Sequence, residues 1–326
     1  MQSVIRRICE RFGLGEPVSV KEAGGTRNVT SIVHTVGGAW AVRRRYSGYC
    51  DPQRIAVDHG AACFLAQHGV PVLPPRETTD GNTFWRDGAD IWEVFAFAEG
   101  RHLRDGDGRD CAALGESLAR FHQAGASFDG RYDKLGPRGE TDPDHLLESI
   151  QKARADAPDS DAALDAYKHA ILEASTELST DLYLSLPHTL VHGDVQPANI
   201  IMNRGGVKAF LDLDWLAWRP RIYDLCFAIL CCCAAHERPL ADGDVWAISQ
   251  TPDLQPEPIR EFLGAYERAW SPLSDLEKSA LGPQLLLSWC HVRVDNSLKV
   301  PAPDRRAFLE RGNQTLDEVG ELGRLV

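Results

Sequence analysis

The feature that most limits the fold of this chain is a change of hydrophobic period near residue 100. Residues 17–97 carry β-branched runs broken by glycine, whereas apolar residues beyond recur at helical spacing, interrupted once by a strand-like stretch at 190–215. In the first part, "SIVHTV" and "AWAVRR" flank Gly37-Gly38, a two-residue hairpin signal, and "IWEVFAF" reads as an apolar central strand. The stretch "PQRIAVDHGAACFLAQHG" places Ile55, Ala61, Ala62, Phe64 and Leu65 at helical spacing and stops at Gly69, ahead of Pro71. A short amphipathic helix (Val4, Ile5, Ile8, Phe12) precedes the strands. The expectation is an α+β chain: a small antiparallel-sheet lobe over 1–97, and a larger, mainly helical lobe over 98–326.

Composition narrows the function. The net charge of −12, from 35 Lys+Arg against 47 Asp+Glu, speaks against a nucleic-acid surface, which needs clustered positive charge. No apolar run is long enough to span a bilayer and "MQSVIRRICERFGLG" lacks a secretory core, so no membrane role and a cytoplasmic location are expected. Nine cysteines form no regular framework and are expected to be reduced; Cys231-Cys232-Cys233 diverge around a helix and read as core packing. Monomer and homodimer both stay open.

The chemistry concentrates in "LVHGDVQPANIIMNRGGVKAFLDLDW", where Asp194, Asn199, Asp212 and Asp214 stand among Val191, Ile200, Ile201, Phe210 and Leu211. Carboxylates taken out of water need a cation, a hydrogen-bond network or a task. With Arg204-Gly205 as the turn between "NIIM" and "VKAFLDLD", Asn199 is expected across from Phe210, with Asp212 two residues further along the ribbon. Period two would put Asp214 on the same face as Asp212. Two oxygen donors at a hairpin mouth suit Mg²⁺, which takes one or two protein ligands plus waters and phosphates. A third carboxylate, Asp194, would accept a hydroxyl proton, completing the parts of phosphoryl transfer. The spacing His192-x-Asp194-x-x-x-x-Asn199, followed by Asp212 after a hairpin, matches the kinase H-R-D-L-x-x-x-N loop and D-F-G aspartate. His192 reads as a brace of the loop.

At the nucleotide end, Trp40-Ala41-Val42-Arg43 stands where kinases have V-A-I-K, with Arg43 in place of lysine. Alternation puts Ala41 and Arg43 on one face, a small residue under the base and a cation toward phosphate; Arg45 shares that face and competes for the role. The matching helix acid is Asp58. Gly24, Gly25 and Asn28 in "EAGGTRN" would offer N–H groups to phosphate, and the backbone from Phe95 to Phe97 would hydrogen-bond adenine.

Taken together, "HGDVQPANIIM", "FLDLDWLAWRPRIYDLC" and "LGESLARFHQAG" resemble the aminoglycoside phosphotransferase/choline kinase-like superfamily, in particular its homoserine kinase type II and stress-response kinase branch. The resemblance implies a bilobal protein-kinase-like fold and ATP-dependent transfer of the γ-phosphoryl group to a hydroxyl of a small-molecule acceptor: an amino alcohol, hydroxy amino acid, sugar or aminoglycoside. By the same resemblance Asp194 is the catalytic base, Asn199 and Asp212 hold Mg²⁺, and Asp224 supports the catalytic loop. Trp289, His291, Arg293 and Asp295 fall where related kinases bind acceptor, but each also fits a polar helix face. A protein Ser/Thr kinase is the first alternative, disfavoured because no A-P-E segment or long activation loop follows Asp212. An inactive nucleotide-binding regulator is the second; Arg43 and Asp58 favour it, and the intact Asp194, Asn199 and Asp212 oppose it.

Overall fold

The computed structural model describes residues 2–24, 28–132, 134–238, 240, 245–247, 250–313 and 315–325. In chain order the first elements are α1 (Gln2–Arg11), β1 (Pro17–Gly24), β2 (Val29–Thr35), β3 (Gly38–Arg44), α2 (Pro52–Gln67), β4 (Trp85–Asp87), β5 (Asp90–Ala96) and β6 (Arg101–His102). There follow α3 (Gly108–Gly125), α4 (Pro143–Asp156), α5 (Asp161–Glu177), α6 (Thr180–Ser185), β7 (His188–Val191), β8 (Ile200–Asn203), β9 (Gly206–Phe210) and β10 (Ala217–Pro220). The last are α7 (Ile222–Ala228), α8 (Pro256–Ala269), α9 (Asp275–Ser297), α10 (Ala302–Asn313) and α11 (Leu316–Leu325). Two compact units result: one of Met1–Arg101, Phe128–Tyr132 and Ile201–Asp214, the other of His102–Ser127, Asp133–Ile200 and Trp215–Val326.

The first unit is built on a five-stranded antiparallel sheet in the order β1-β2-β3-β5-β4. Alternation gives the sheet two faces: Val33, Val42 and Val94 pack against Ile5, Ile8, Cys9 and Phe12 of the α1 region, while Ala41, Arg43, Glu93 and Phe95 face the other way. The β2–β3 turn is centred on Val36-Gly37 rather than on Gly37-Gly38, because Thr35 pairs directly with Gly38. The Thr35 hydroxyl fixes that register by accepting from Gly37 N at 3.1 Å and donating to Gly38 O at 3.3 Å. Helix α2 starts on Asp51, whose carboxylate accepts from Arg54 N, with Pro52 in the first turn, and its stop is followed by Gly69 at φ +76°. Its buried Ile55 and Leu65 each contribute about 1.5–3 kcal/mol by leaving water.

The hairpin of β8 and β9 turns at Arg204-Gly205 as the sequence suggested. Its far end is pinned within this unit: Phe210 N donates to Pro71 O at 2.7 Å, and Val72 bridges Phe210 in parallel. Phe210 therefore ends the strand at a set point and hands the chain to Asp212.

The second unit is mainly helical. Gly115 of α3 lies so close to α8 that a Cβ would sit 2.2 Å from Phe262 O, so only glycine permits this approach. The 23-residue α9 opens with a capping box, Ser274 with Glu277, and Glu277 also binds Arg221 Nε at 2.6 Å just ahead of α7. The antiparallel pair β7–β10, which leads into the loop at 192–196, matches Val191 with Ala217, and both cluster with the buried Tyr223 of α7. Cys231, Cys232 and Cys233 are buried in a π-helical turn, Ile229–Cys233. Among the described residues no helix is long and apolar enough to cross a membrane.

Candidate active site

In the helical unit the loop after β7 is held by one carboxylate. Asp224 of α7 is wholly buried and accepts from His192 N at 2.6 Å and Gly193 N at 2.9 Å, while His122 Nε2 donates to it at 3.0 Å. Burial alone would push Asp224 up, but the His122 hydrogen bond and the nearby imidazoles hold it below the usual carboxylate range. His122 is fixed in turn, its Nδ1 lying 2.8 Å from Tyr266 Oη. Asp224 is thus the loop support that the resemblance implied, and His192 is the brace, its Nδ1 accepting from Asp194 N at 3.2 Å.

Gly193 makes the turn possible. Its φ is +84°, and a Cβ there would lie 2.3 Å from Trp215 O. Gly193→Ala is expected to lose about 1–3 kcal/mol from backbone strain alone, measured by urea denaturation; unchanged stability would show that the loop relaxes freely.

Asp194 follows on this buttressed turn. Gln196 Nε2 donates to both its oxygens at 3.0 and 2.9 Å, and Asn199 Nδ2 donates to Oδ2 at 2.8 Å and to the Asp194 carbonyl at 2.9 Å. Burial pushes the Asp194 carboxyl up, against His192, Gln196 and Asn199, which favour the anion. Asn199 is not in the strand, contrary to the register expected: Pro197 opens a 3₁₀ turn over 197–199 and β8 starts at Ile200. With its amide nitrogen committed to Asp194, Asn199 Oδ1 is left as an oxygen donor.

The sheet-bearing unit carries the charged network. Arg43 meets three carboxylates: Glu93 at 2.8 Å through Nε, Asp212 at 3.2 Å through Nη1 and Asp214 at 2.9 Å through Nη2. Its guanidinium also lies 5.2 Å from the Phe95 ring centroid. Arg45 is a different kind of residue: fully buried, it binds Glu93 at 2.7 Å, pairs with Asp58 and bonds Tyr49 O at 2.8 Å. The two arginines differ in exposure: Arg43 keeps 12% of its side chain exposed and Arg45 none.

Asp58 therefore does not take the part of a helix acid on Arg43; its ion pairs are with Arg45 and, at 3.9 Å, Arg54. An aspartate on α2 reaches the deeper arginine, and the carboxylate directly across from Arg43 is Glu93, its cross-strand neighbour. Burial would raise Glu93, but Arg43, the His59 hydrogen bond and Arg45 hold it well below the usual range. Glu93 was missed in the sequence, although an acid in the middle of "IWEVFAF" was the available signal.

Asp212 and Asp214 do not share a strand face. The backbone turns at Asp212, φ +54°, and Leu213–Trp215 form a 3₁₀ turn, leaving the Asp212 side chain 39% exposed and Asp214 buried at 2%. Asp214 is held below the usual range: burial opposes this, and Arg43 and Arg45 outweigh it. The Asn28 side chain braces this network: its Nδ2 donates to Asp214 Oδ2 at 2.7 Å and its Oδ1 accepts from Tyr46 N at 2.9 Å. Gly24 ends β1 beside a register shift, and Gly25 lies outside the described residues.

Ala41 pairs with Phe95, on the same sheet face as Arg43. The adenine-binding backbone needs correction at Phe97, whose N–H is spent on Ala39 O at 3.0 Å. Antiparallel alternation then aims the Phe95 backbone at β3 as well, and turns the N–H and C=O of Ala96 to the opposite edge of β5, beyond the end of β4.

The helical unit presents a loop-mounted carboxylate and an amide oxygen, and the sheet-bearing unit a half-exposed carboxylate and a strand arginine; these are residue types that phosphoryl transfer uses. A family model described as "Phosphotransferase enzyme family" matches residues 21–276, and the chain belongs to that family. It is 27% identical over 282 residues to a homoserine kinase of Bradyrhizobium sp. (strain ORS 278), covering 83% of this chain and 76% of that one. It is 25% identical over 329 residues to a homoserine kinase of Rhodopseudomonas palustris (strain BisB18), covering 96% and 92%. Among solved structures it resembles amicoumacin kinase hAmiN, in complex with AMP-PNP, Ca²⁺ and Ami (TM-score 0.71, 16% identity, 97% and 93% covered). The microcompartment-associated aminopropanol kinase is also similar (TM-score 0.66, 13% identity, 98% of each chain). The kinase-like fold expected from the sequence is the fold found.

Proposed function

We propose that this chain phosphorylates a hydroxyl group of a small molecule with ATP and Mg²⁺, using Asp194 as base. The observation that carries this reading is the setting of Asp194: a carboxylate on a glycine turn braced by Asp224, oriented by Gln196 and Asn199, with its proton affinity raised by burial. The acceptor oxygen forms a bond to the γ-phosphorus, the bond from that phosphorus to the ADP oxygen breaks, and the hydroxyl proton passes to Asp194 Oδ. Asn199 Oδ1 and the Asp212 carboxylate are hard oxygen donors that suit Mg²⁺, which when bound would neutralise phosphate charge. Arg43 supplies a fixed cation for phosphate oxygens, Ala41 a small surface for the base, and Ala96, in place of Phe95 or Phe97, the backbone edge for adenine.

Homoserine and aminopropanol, the acceptors in the relatives' names, favour an amino-bearing alcohol, and small-molecule acceptors speak against the protein-kinase alternative. The test is ADP release from MgATP in the presence of L-homoserine, 1-amino-2-propanol, ethanolamine, a hexose and an aminoglycoside. Stimulation by an amino alcohol or hydroxy amino acid is expected. Stimulation by none of them, with label from ATP entering protein, would overturn the assignment.

A further inference from the structure

Helix α2 is joined to the sheet by two buried side chains, neither of which reaches Arg43 directly. One is Asp58 on Arg45. The other is His59, 4% exposed, whose Nε2 lies 2.8 Å from Glu93 Oε1 and whose Nδ1 lies 2.7 Å from Thr83 Oγ1. Glu93 is fully buried and carries Arg43 on Oε2 and Arg45 on Oε1, so it is an anion that only accepts; His59 Nε2 must be the donor. With Nε2 donating to Glu93, Nδ1 is held by the Thr83 hydroxyl, and each ring nitrogen has one defined partner.

We propose that His59 is a positioning residue for nucleotide binding: it locks the Glu93 carboxylate at the angle at which Oε2 holds Arg43 Nε, and so couples α2 to the phosphate-facing cation. This rests on the reading of Arg43 as the phosphate cation. The hydrogen bond does what neither neighbour can do. Arg45 and His59 both donate to Oε1, so without the His59 bond Arg45 alone sets that oxygen and the carboxylate can turn away from Arg43. The route from α2 to Arg43 thus runs through the His59 ring and a strand carboxylate, while the helix's own acid serves the buried arginine.

The experiment is isothermal titration of MgATP into the full chain and its variants, with melting curves and acceptor KM measured in parallel. His59→Leu is expected to weaken MgATP binding about 10-fold, the effect of losing a hydrogen bond to a charged group, while the acceptor KM stays unchanged. His59→Gln, whose amide nitrogen can stand where Nε2 stands, is expected to restore most of the affinity. Wild-type MgATP affinity in a folded His59→Leu chain would overturn the proposal, as would equal losses in Leu and Gln. Should His59→Leu fail to fold, Thr83→Val, which frees Nδ1 but keeps the ring, is expected to give an intermediate loss; wild-type affinity there would equally overturn it. Failure of the parent function looks different, since the unmodified chain would then release no ADP with any acceptor, whether or not it binds MgATP.

Discussion

Replacing Asp194 by Asn is expected to lower turnover by about 10²–10⁴-fold, the usual span for a general base, with MgATP affinity measured by calorimetry left near that of the unmodified chain. The amide keeps the shape and can still meet Gln196 and Asn199, but it cannot take the hydroxyl proton. Because burial raises the Asp194 carboxyl, the acid limb of the kcat/KM profile is expected at a pH above the ordinary aspartate range, since the base works only when ionised. Undiminished turnover in the Asn variant would remove Asp194 from the reaction.

The second large effect concerns stability. Arg45→Leu takes the buried cation from three carboxylates, Glu93, Asp58 and Asp214, and is expected to destabilise the fold by about 3–5 kcal/mol in chemical denaturation, the cost of breaking a buried pair from one side. The penalty has a pH signature. Glu93 is held below its ordinary value in the folded chain, so its contribution is fully present above the unfolded value, about 4.3, and is lost as pH falls toward the folded one. The gap between Arg45→Leu and the unmodified chain should therefore narrow on acidification below that value. A gap independent of pH would mean that lost packing, not lost charge, explains the defect.

Local signals made much of this readable in the residues. Turn residues located the hairpin at Arg204-Gly205, periodicity located α2, and the spacing of His192, Asp194 and Asn199 located a buttressed carboxylate and the amide that donates to it. What escaped depends on pairing and on backbone turns that a period cannot encode. Asn199 looked like strand because Ile200 and Ile201 follow it, yet Pro197 draws it into the preceding turn. Asp212 and Asp214 looked co-facial because strands alternate, yet the left-handed Asp212 ends the alternation. Glu93 needed the knowledge that Arg43 lies opposite it, 50 positions away, and that is a fact of sheet register alone. His59 needed it twice over, since its role exists only once Glu93 has one.

The three-pronged grip of Arg43 on Glu93, Asp212 and Asp214 also bears on how such a site can drift. A lysine ammonium is a compact charge on a flexible stem and cannot reproduce a planar fork aimed at three oxygens in fixed directions. A change of Arg43 to lysine alone would take this side chain's contact from at least one of the three carboxylates, so an arginine site and a lysine site are expected to differ in the partners of the cation. Related chains carrying lysine at this position are therefore expected to differ at Glu93 or Asp214 as well, and lysine beside both acids unchanged would refute this.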